Sequence, residues 1–216
     1  MTEGRYRAEG AQAEFEPGSR GRVLRNRLGI TRVPDMQQAE SEALLDVQEW
    51  AIGHFRASHR FTAADIVLLH RRWLGSIYPW AGVYRQVNVS KGGLMFAAAA
   101  QAPRLMAAFE ADELARLTPC EGMDEATLAT ALARTHAELV LIHPFREGNG
   151  RCARLLGWLM ALQAGLPPLD FSPLSGRGKT AYFAAVRAAL ARDYAPLESC
   201  FSRVLARTSR ACARGG

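Results

Sequence analysis

The chain of 216 residues lacks several features that would place it in large, familiar classes. Its four cysteines (Cys120, Cys152, Cys200 and Cys212) are far apart and form no C-x-x-C pair, which excludes a zinc-knuckle spacing and a disulfide scaffold. A reducing compartment is therefore expected, with the cytoplasm as the default location and delivery by a dedicated secretion system left open. Long apolar runs are missing: no stretch approaches the roughly 18–20 residues of a membrane span, so no membrane partner is expected. Met1 to Glu16 is polar and mixed in charge, without the apolar core of a Sec-type signal peptide. Internal repeats and low-complexity tracts are absent, and only Lys91 and Lys179 are lysines.

What is present fits a globular protein. Apolar residues make up 49% and charged residues 22%, a balance that disordered chains do not have. The length favours one domain and suffices for a core that needs no disulfide or structural metal. The net charge of +6 sits at the ends: residues 1–34 contribute +3, residues 203–214 contribute +4, and the segment between them −1. A groove-binding protein places its basic stripe on the folded body, so nucleic acid is not the expected partner.

Periodicity predicts mostly helix. After Pro34, apolar residues at Met36, Ala39, Ala43, Leu44, Val47, Ala51 and Phe55 follow a 3.6-residue stripe. Thr62 can cap a second helix, with Asp65 following and Phe61 and Ile66 placed as a staple; its core face is Ile66, Leu69, Trp73 and Leu74. Tyr78-Pro-Trp-Ala-Gly82 predicts a loop. Residues 83–90 then alternate, with Val83, Val87 and Val89 on one side, and Lys91-Gly92-Gly93 turns this short strand back into Leu94-Met95-Phe96. A lone hairpin among helices would leave its edges open. Further helices are expected after Pro103 to about Leu117, from Asp124 as cap to about Ile142, from about Arg151 to Ala164, and over 179–193 and 196–208. The first thirty and last ten residues are expected to be the most mobile.

The chemistry concentrates in one loop, His143-Pro-Phe-Arg-Glu-Gly-Asn-Gly-Arg151, with Arg154 one turn further on. Gly148, Asn149 and Gly150 can take backbone angles that aim their N–H groups one way, forming an anion-binding concavity at a helix start. Arg151 and Arg154 stand in that helix's first turn, against the preference of helix starts for acids. An anion there would relieve the conflict, and two guanidinium forks suit a polyphosphate better than a single carboxylate. Glu147 offers a carboxylate beside the same amides, enough for Mg²⁺ when phosphates supply further ligands. His143 is placed to accept a proton from an attacking hydroxyl.

These residues resemble the Fic family motif, H-x-F-x-[DE]-G-N-G-R-x-x-R, at every specified position from His143 to Arg154. Val23-Leu-Arg-Asn-Arg-Leu-Gly-Ile30, Tyr78-Pro-Trp-Ala-Gly82, Val87-Asn-Val-Ser-Lys-Gly-Gly93 and Phe96-Ala97 are also similar to Fic-domain segments. The resemblance spans about residues 20–205. It divides the chain into a mobile N-terminal segment (1–19), a Fic domain (20–205) and a basic C-terminal tail (206–216).

The resemblance implies a mostly α fold, a Fic-like helical bundle with one short β-hairpin flap. It implies Mg²⁺-dependent transfer of AMP from ATP to a Tyr, Thr or Ser hydroxyl of a target protein, in a toxin-like setting. His143 would be the base, Glu147 would hold Mg²⁺, and Gly148, Asn149 and Gly150 would hold phosphate oxygens. Arg151 would bind on the β-phosphate side and Arg154 the γ-phosphate; Phe145 would anchor the loop in the core. The flap, Lys91, Gly92, Gly93, Leu94, Met95 and Phe96, would register the target by strand addition. Related proteins are often restrained by [ST]-x-x-x-E-[GN], whose Glu pairs with the second Arg. No Ser or Thr of this sequence has Glu four residues on, so a small antitoxin-like partner supplying that Glu is the expectation. The motif leaves open transfer of UMP, phosphocholine or phosphate, and a non-catalytic nucleotide-binding regulator.

Overall fold

Helices carry most of the chain in the computed structural model, which describes residues 7–8 and 14–215. Residues 1–6 and 9–13 of the N-terminal segment expected to be mobile lie outside the described residues, as does Gly216. The chain divides into two units, described separately below.

The first unit comprises Met1–His54, Ala63–Met106 and Ile142–Cys152. Helix α1 (Val33–His54) starts with Pro34 and Asp35 in its first turn, where a missing N–H costs nothing and an acid complements the helix dipole. Of the expected stripe it buries Met36, Val47 and Ala51, with Ala39, Ala43 and Leu44 half-buried and Phe55 past its end, and it buries the Glu40 carboxylate as well. Helix α2 (Ala63–Leu74) buries Ile66, Leu69, Trp73 and Leu74 as expected, and His70 with them. The Trp73 indole N–H donates to the Glu40 carbonyl at 2.8 Å, fastening α2 to α1.

The hairpin is shorter than its alternation suggests. Strands β2 (Val89–Lys91) and β3 (Leu94–Met95) pair antiparallel, Ser90 opposite Met95 and Lys91 opposite Leu94. Gly92 (φ 55°) and Gly93 (φ 75°) supply the two left-handed positions that a tight hairpin turn needs. Residues 83–88 do not extend the strand, because Arg85 gives its main-chain N–H to Pro144 at 2.8 Å. Val83 is exposed, whereas Val87, Val89 and Phe96 cluster beneath the turn.

Two expectations need correction here. The hairpin edges are not both open: strand β1 (Arg7–Ala8) pairs antiparallel with β2, giving the order β1-β2-β3. Residues 14–30 are not a free arm either. Phe15 bridges Leu24, Val23 and Leu24 are buried, and the Asn26 side chain bonds the main chain of Leu24, Leu28 and Ile30. An Asn closing a turn on its own neighbours is a local tether that hydrophobic periodicity does not register.

The second unit comprises Phe55–Thr62, Ala107–Leu141 and Ala153–Gly216. Helix α3 (Ala102–Phe109) enters it, passes through a π-helical turn (Glu110–Leu114) and ends in the short α4 (Ala115–Leu117). Helix α5 (Glu125–Ile142) is capped by Asp124, whose Oδ1 accepts the Thr127 N–H at 2.8 Å; that bond also holds the carboxyl below its ordinary pKa. Helix α6 (Asn149–Gln163) continues from the first unit, and α7 (Lys179–Ala188) precedes α8 (Ala195–Gly215). Leu197, Cys200, Phe201, Val204, Leu205 and Thr208 form the buried stripe of α8. That helix runs through the residues expected as a basic tail.

Candidate active site

The loop from His143 to Gly148 joins the end of α5 to the start of α6, and its shape follows from a few residues. His143 takes φ 53°, the left-handed position that usually ends a helix on glycine. A non-glycine residue there is strained by about 1–2 kcal/mol and persists only where its surroundings impose it. Two contacts do so. The His143 carbonyl accepts the Arg85 Nε–H at 2.6 Å, and its ring stacks on Phe96, with centroids 3.6 Å apart and planes 13° apart. His143 is 2% exposed.

Phe145 anchors the loop, fully buried and stacked on the His70 ring at 3.8 Å. Asn149 closes it: its Oδ1 accepts the Phe145 N–H, and its Nδ2 donates to the Phe145 carbonyl, both at 2.8 Å. The Asn149 side chain therefore braces the turn, and its bonds run to main chain. Helix α6 begins two residues earlier than expected, at Asn149, so Asn149 and Gly150 are its first residues and their N–H groups are among the donors that find no acceptor within the helix. Of the Gly-Asn-Gly run only Gly148 has a positive φ, 82°. A Cβ on Gly148 would stand 2.7 Å from the Trp73 ring, so α2 requires glycine there. The Gly148 N–H donates to Glu147 Oε1 at 2.9 Å, holding the half-buried carboxylate at the helix start.

Arg151, in the first turn of α6, is held by residues that the motif does not contain. Its guanidinium pairs with Glu40 Oε2 at 2.8 Å and lies 4.6 Å from the Trp73 ring centroid. Glu40, 5% exposed, also accepts the Tyr78 hydroxyl at 2.6 Å. The cation at a helix start thus has a carboxylate partner from α1 and still keeps 32% of its side chain exposed. Arg154, one turn on, belongs to the second unit. Its guanidinium carbon is 5.8 Å from the Tyr182 ring, and its buried Nε makes no hydrogen bond among the described residues. Tyr182 in turn hydrogen-bonds His136, whose pKa burial, with Arg154 adding to it, pushes down to about 3.

His70 escaped the sequence reading, although its place beside Leu69 and Trp73 on the core face of α2 signalled burial. Its Nδ1 accepts the Gly82 N–H at 2.9 Å, which leaves Nε2 as the donor to the Glu147 carbonyl at 3.0 Å. Burial lowers its pKa to about 4, so the ring is neutral in the folded chain. The unfolded chain takes up a proton near pH 6.5 that the folded chain refuses until about pH 4, so stability falls as pH drops through that window. His70→Gln is expected to reduce the loss of unfolding free energy between pH 7 and pH 4.5 by about 2–3 kcal/mol, read by denaturant titration at the two pH values.

Among the flap residues, Met95 is 69% exposed, Leu94 and Lys91 are half-buried, and Gly92 and Gly93 are exposed at the turn. Phe96 is 9% exposed and lies under the imidazole, not on the outer surface of the hairpin. Among the described residues no group of three or more His, Cys, Asp or Glu is gathered as a metal cage. No described helix is long and apolar enough to cross a membrane.

Fold and loop together define a mostly helical domain with an anion-receptive helix start, a buried imidazole on the preceding turn and a hairpin packed against that imidazole. Residues 60–161 match the Fic/DOC family. Protein adenylyltransferase VbhT of Bartonella schoenbuchensis is 31% identical over 147 residues, 66% of this chain and 30% of that protein. Protein adenylyltransferase fic-1 of Caenorhabditis briggsae is 35% identical over 158 residues, 71% of this chain and 28% of that protein. The chain thus spans under a third of the length of these relatives. BepC of Bartonella tribocorum, a VirB-translocated effector solved with AMPPNP, superposes with TM-score 0.70 at 22% identity over 88% of this chain and 94% of that one. The Fic domain of a Bartonella quintana effector, solved with ADP, gives TM-score 0.69 at 22% identity over 88% and 92%. These likenesses establish the mostly helical Fic fold with its hairpin.

Proposed function

We propose that the chain is a protein adenylyltransferase that moves AMP from ATP onto a Tyr, Thr or Ser hydroxyl of a target protein, in a toxin-like role. The observation that carries this reading is the unbroken run His143-x-Phe145-x-Glu147-Gly-Asn-Gly-Arg151-x-x-Arg154, laid across a helix end and a helix start so that imidazole, carboxylate, helix-start amides and guanidinium lie along one loop and the helix start that follows it. Relatives that bear the adenylyltransferase name, and neighbours solved with AMPPNP or ADP, support it.

In this mechanism the target hydroxyl loses its proton to His143 and attacks the α-phosphorus. The new O–P bond forms as the bond to the β-phosphate breaks, and pyrophosphate leaves opposite. The chain's part is positioning and charge stabilisation. The first amides of α6 face the phosphates, with Arg151 on the β-phosphate side and Arg154 on the γ-phosphate. Asn149 contributes by holding the loop closed. Glu147 fits Mg²⁺ in its chemistry: a hard oxygen donor at the helix start, with phosphates to complete the ligand set. When bound, the ion would neutralise charge on the phosphates. The target would pair with the outer edge of β3, at Leu94 and Met95, since β1 covers the β2 edge. The reading includes a small antitoxin-like partner whose Glu would pair with Arg154.

Cells expressing the wild-type chain are expected to contain proteins carrying AMP on Tyr, Thr or Ser, detected by mass spectrometry and absent with His143→Ala. Modification unchanged in the variant would reject the assignment of the base.

A further inference from the structure

Arg85 lies outside the motif and is 2% exposed, among the largest fully buried side chains of the protein. It binds main-chain carbonyls. Nε donates to His143 at 2.6 Å, Nη1 to Val87 at 2.8 Å, and Nη2 to Ala97 and, at 3.5 Å, to Ile142. Its own N–H bonds the Pro144 carbonyl at 2.8 Å, so main chain and side chain grip the same turn. Val87 and Ala97 are the two legs of the hairpin, before β2 and after β3. Ile142 and His143 are the last residue of α5 and the left-handed residue that ends it.

Burying a guanidinium costs several kcal/mol, which charge-assisted bonds can offset but which an apolar side chain would avoid. Burial also draws the Arg85 pKa down from its ordinary value. What an apolar residue could not do is hold several carbonyls at fixed angles from one planar fork. The carbonyl at 2.6 Å belongs to a strained residue, and the orientation of that peptide decides where the ring points. Phe96, beside Ala97, fixes the same ring from its face.

We infer that Arg85 is a positioning residue for His143: its guanidinium ties the imidazole-bearing turn to both legs of the hairpin, so that the hairpin and the imidazole keep one relative placement. The inference rests on the proposed transfer reaction for its kinetic consequence, but not for its structural one. A strand pairing with β3 would then act on the element that holds the base.

The test uses the full chain with Arg85→Met and Arg85→Lys, labelled with ¹³C-histidine. The chain has five histidines, and His143→Ala identifies the His143 signals. Stacking on Phe96 is expected to move the wild-type His143 ring protons upfield. In Arg85→Met they shift towards the free-histidine position while the His70 and His136 signals stay in place. AMP transfer by Arg85→Met is expected to fall about 100-fold in kcat, with KM for ATP within about 3-fold of wild type. Arg85→Lys, with a charge but no planar fork, recovers part of kcat and shows a smaller shift. A role in packing alone would lower thermal stability and leave the His143 signals and the kcat of the folded protein unchanged, and that result overturns the inference. Should Arg85→Met not fold, Arg85→Lys decides on the same two readings. A wild type that transfers no AMP defeats the proposed reaction, and the histidine signals then test the positioning role alone.

Discussion

His143→Ala is expected to lower the rate of AMP transfer about 1,000-fold or more while ATP affinity changes by no more than a few-fold. A positioned general base contributes roughly 10²- to 10⁴-fold. The groups proposed to face the phosphates, the first amides of α6 and Arg151, follow the loop and remain. The variant also removes a ring that is 2% exposed and stacked on Phe96, and it leaves Ala in a left-handed conformation. Some stability is lost for those reasons, so rate loss alone would be ambiguous. His143→Asn separates the effects, because Asn tolerates that backbone region better than Ala. Its thermal midpoint is expected to lie above that of His143→Ala, with the same loss of rate. Rates from labelled ATP and affinities from calorimetry with a non-hydrolysable analogue make the comparison. Transfer in His143→Asn near the wild-type rate would contradict the role of the ring.

Arg151→Ala is expected to do two things at once. It removes the proposed phosphate ligand, and it strands the Glu40 carboxylate, which is 5% exposed and left with the Tyr78 hydroxyl. Removing one member of a buried pair costs about 3–5 kcal/mol, and the partial exposure of Arg151 places the expected loss below that range, at about 2–3 kcal/mol. Adding Glu40→Gln should recover much of the stability, because a neutral amide tolerates burial without the guanidinium. It should recover none of the ATP affinity. Denaturant midpoints and ATP titrations of the two single variants and the double variant give the coupling directly. Stability restored together with affinity would mean that Arg151 serves the fold and not the phosphates.

The pair also shows why part of the site was hidden in the sequence. Short-range signals were legible: the cap at Asp124, the buried face of α2, the turn at Gly92-Gly93 and the complete His143–Arg154 motif all act within a few residues. The residues that hold the motif in place come from far along the chain, Glu40 on α1, His70 on α2 and Arg85 before the hairpin. Each left a trace as a polar residue at an apolar position. Glu40 falls in the stripe with Met36 and Val47, His70 stands beside Leu69 and Trp73, and Arg85 shares the alternation parity of Val83, Val87 and Val89. A pattern read only for its apolar members passes over such exceptions. The early start of α6 and the brace made by Asn149 were hidden for another reason: a Gly-Asn-Gly run fits a flexible nest as well as a helix start, and only the bonds to Phe145 decide between them.

Label placed separately on the α- and γ-phosphates of ATP tests the central claim most directly. The wild-type chain, incubated with Mg²⁺ and a protein substrate, is predicted to leave the α-label on a hydroxyl side chain and the γ-label in released pyrophosphate. A target that carries the γ-label, or neither label while ATP still binds, contradicts the account.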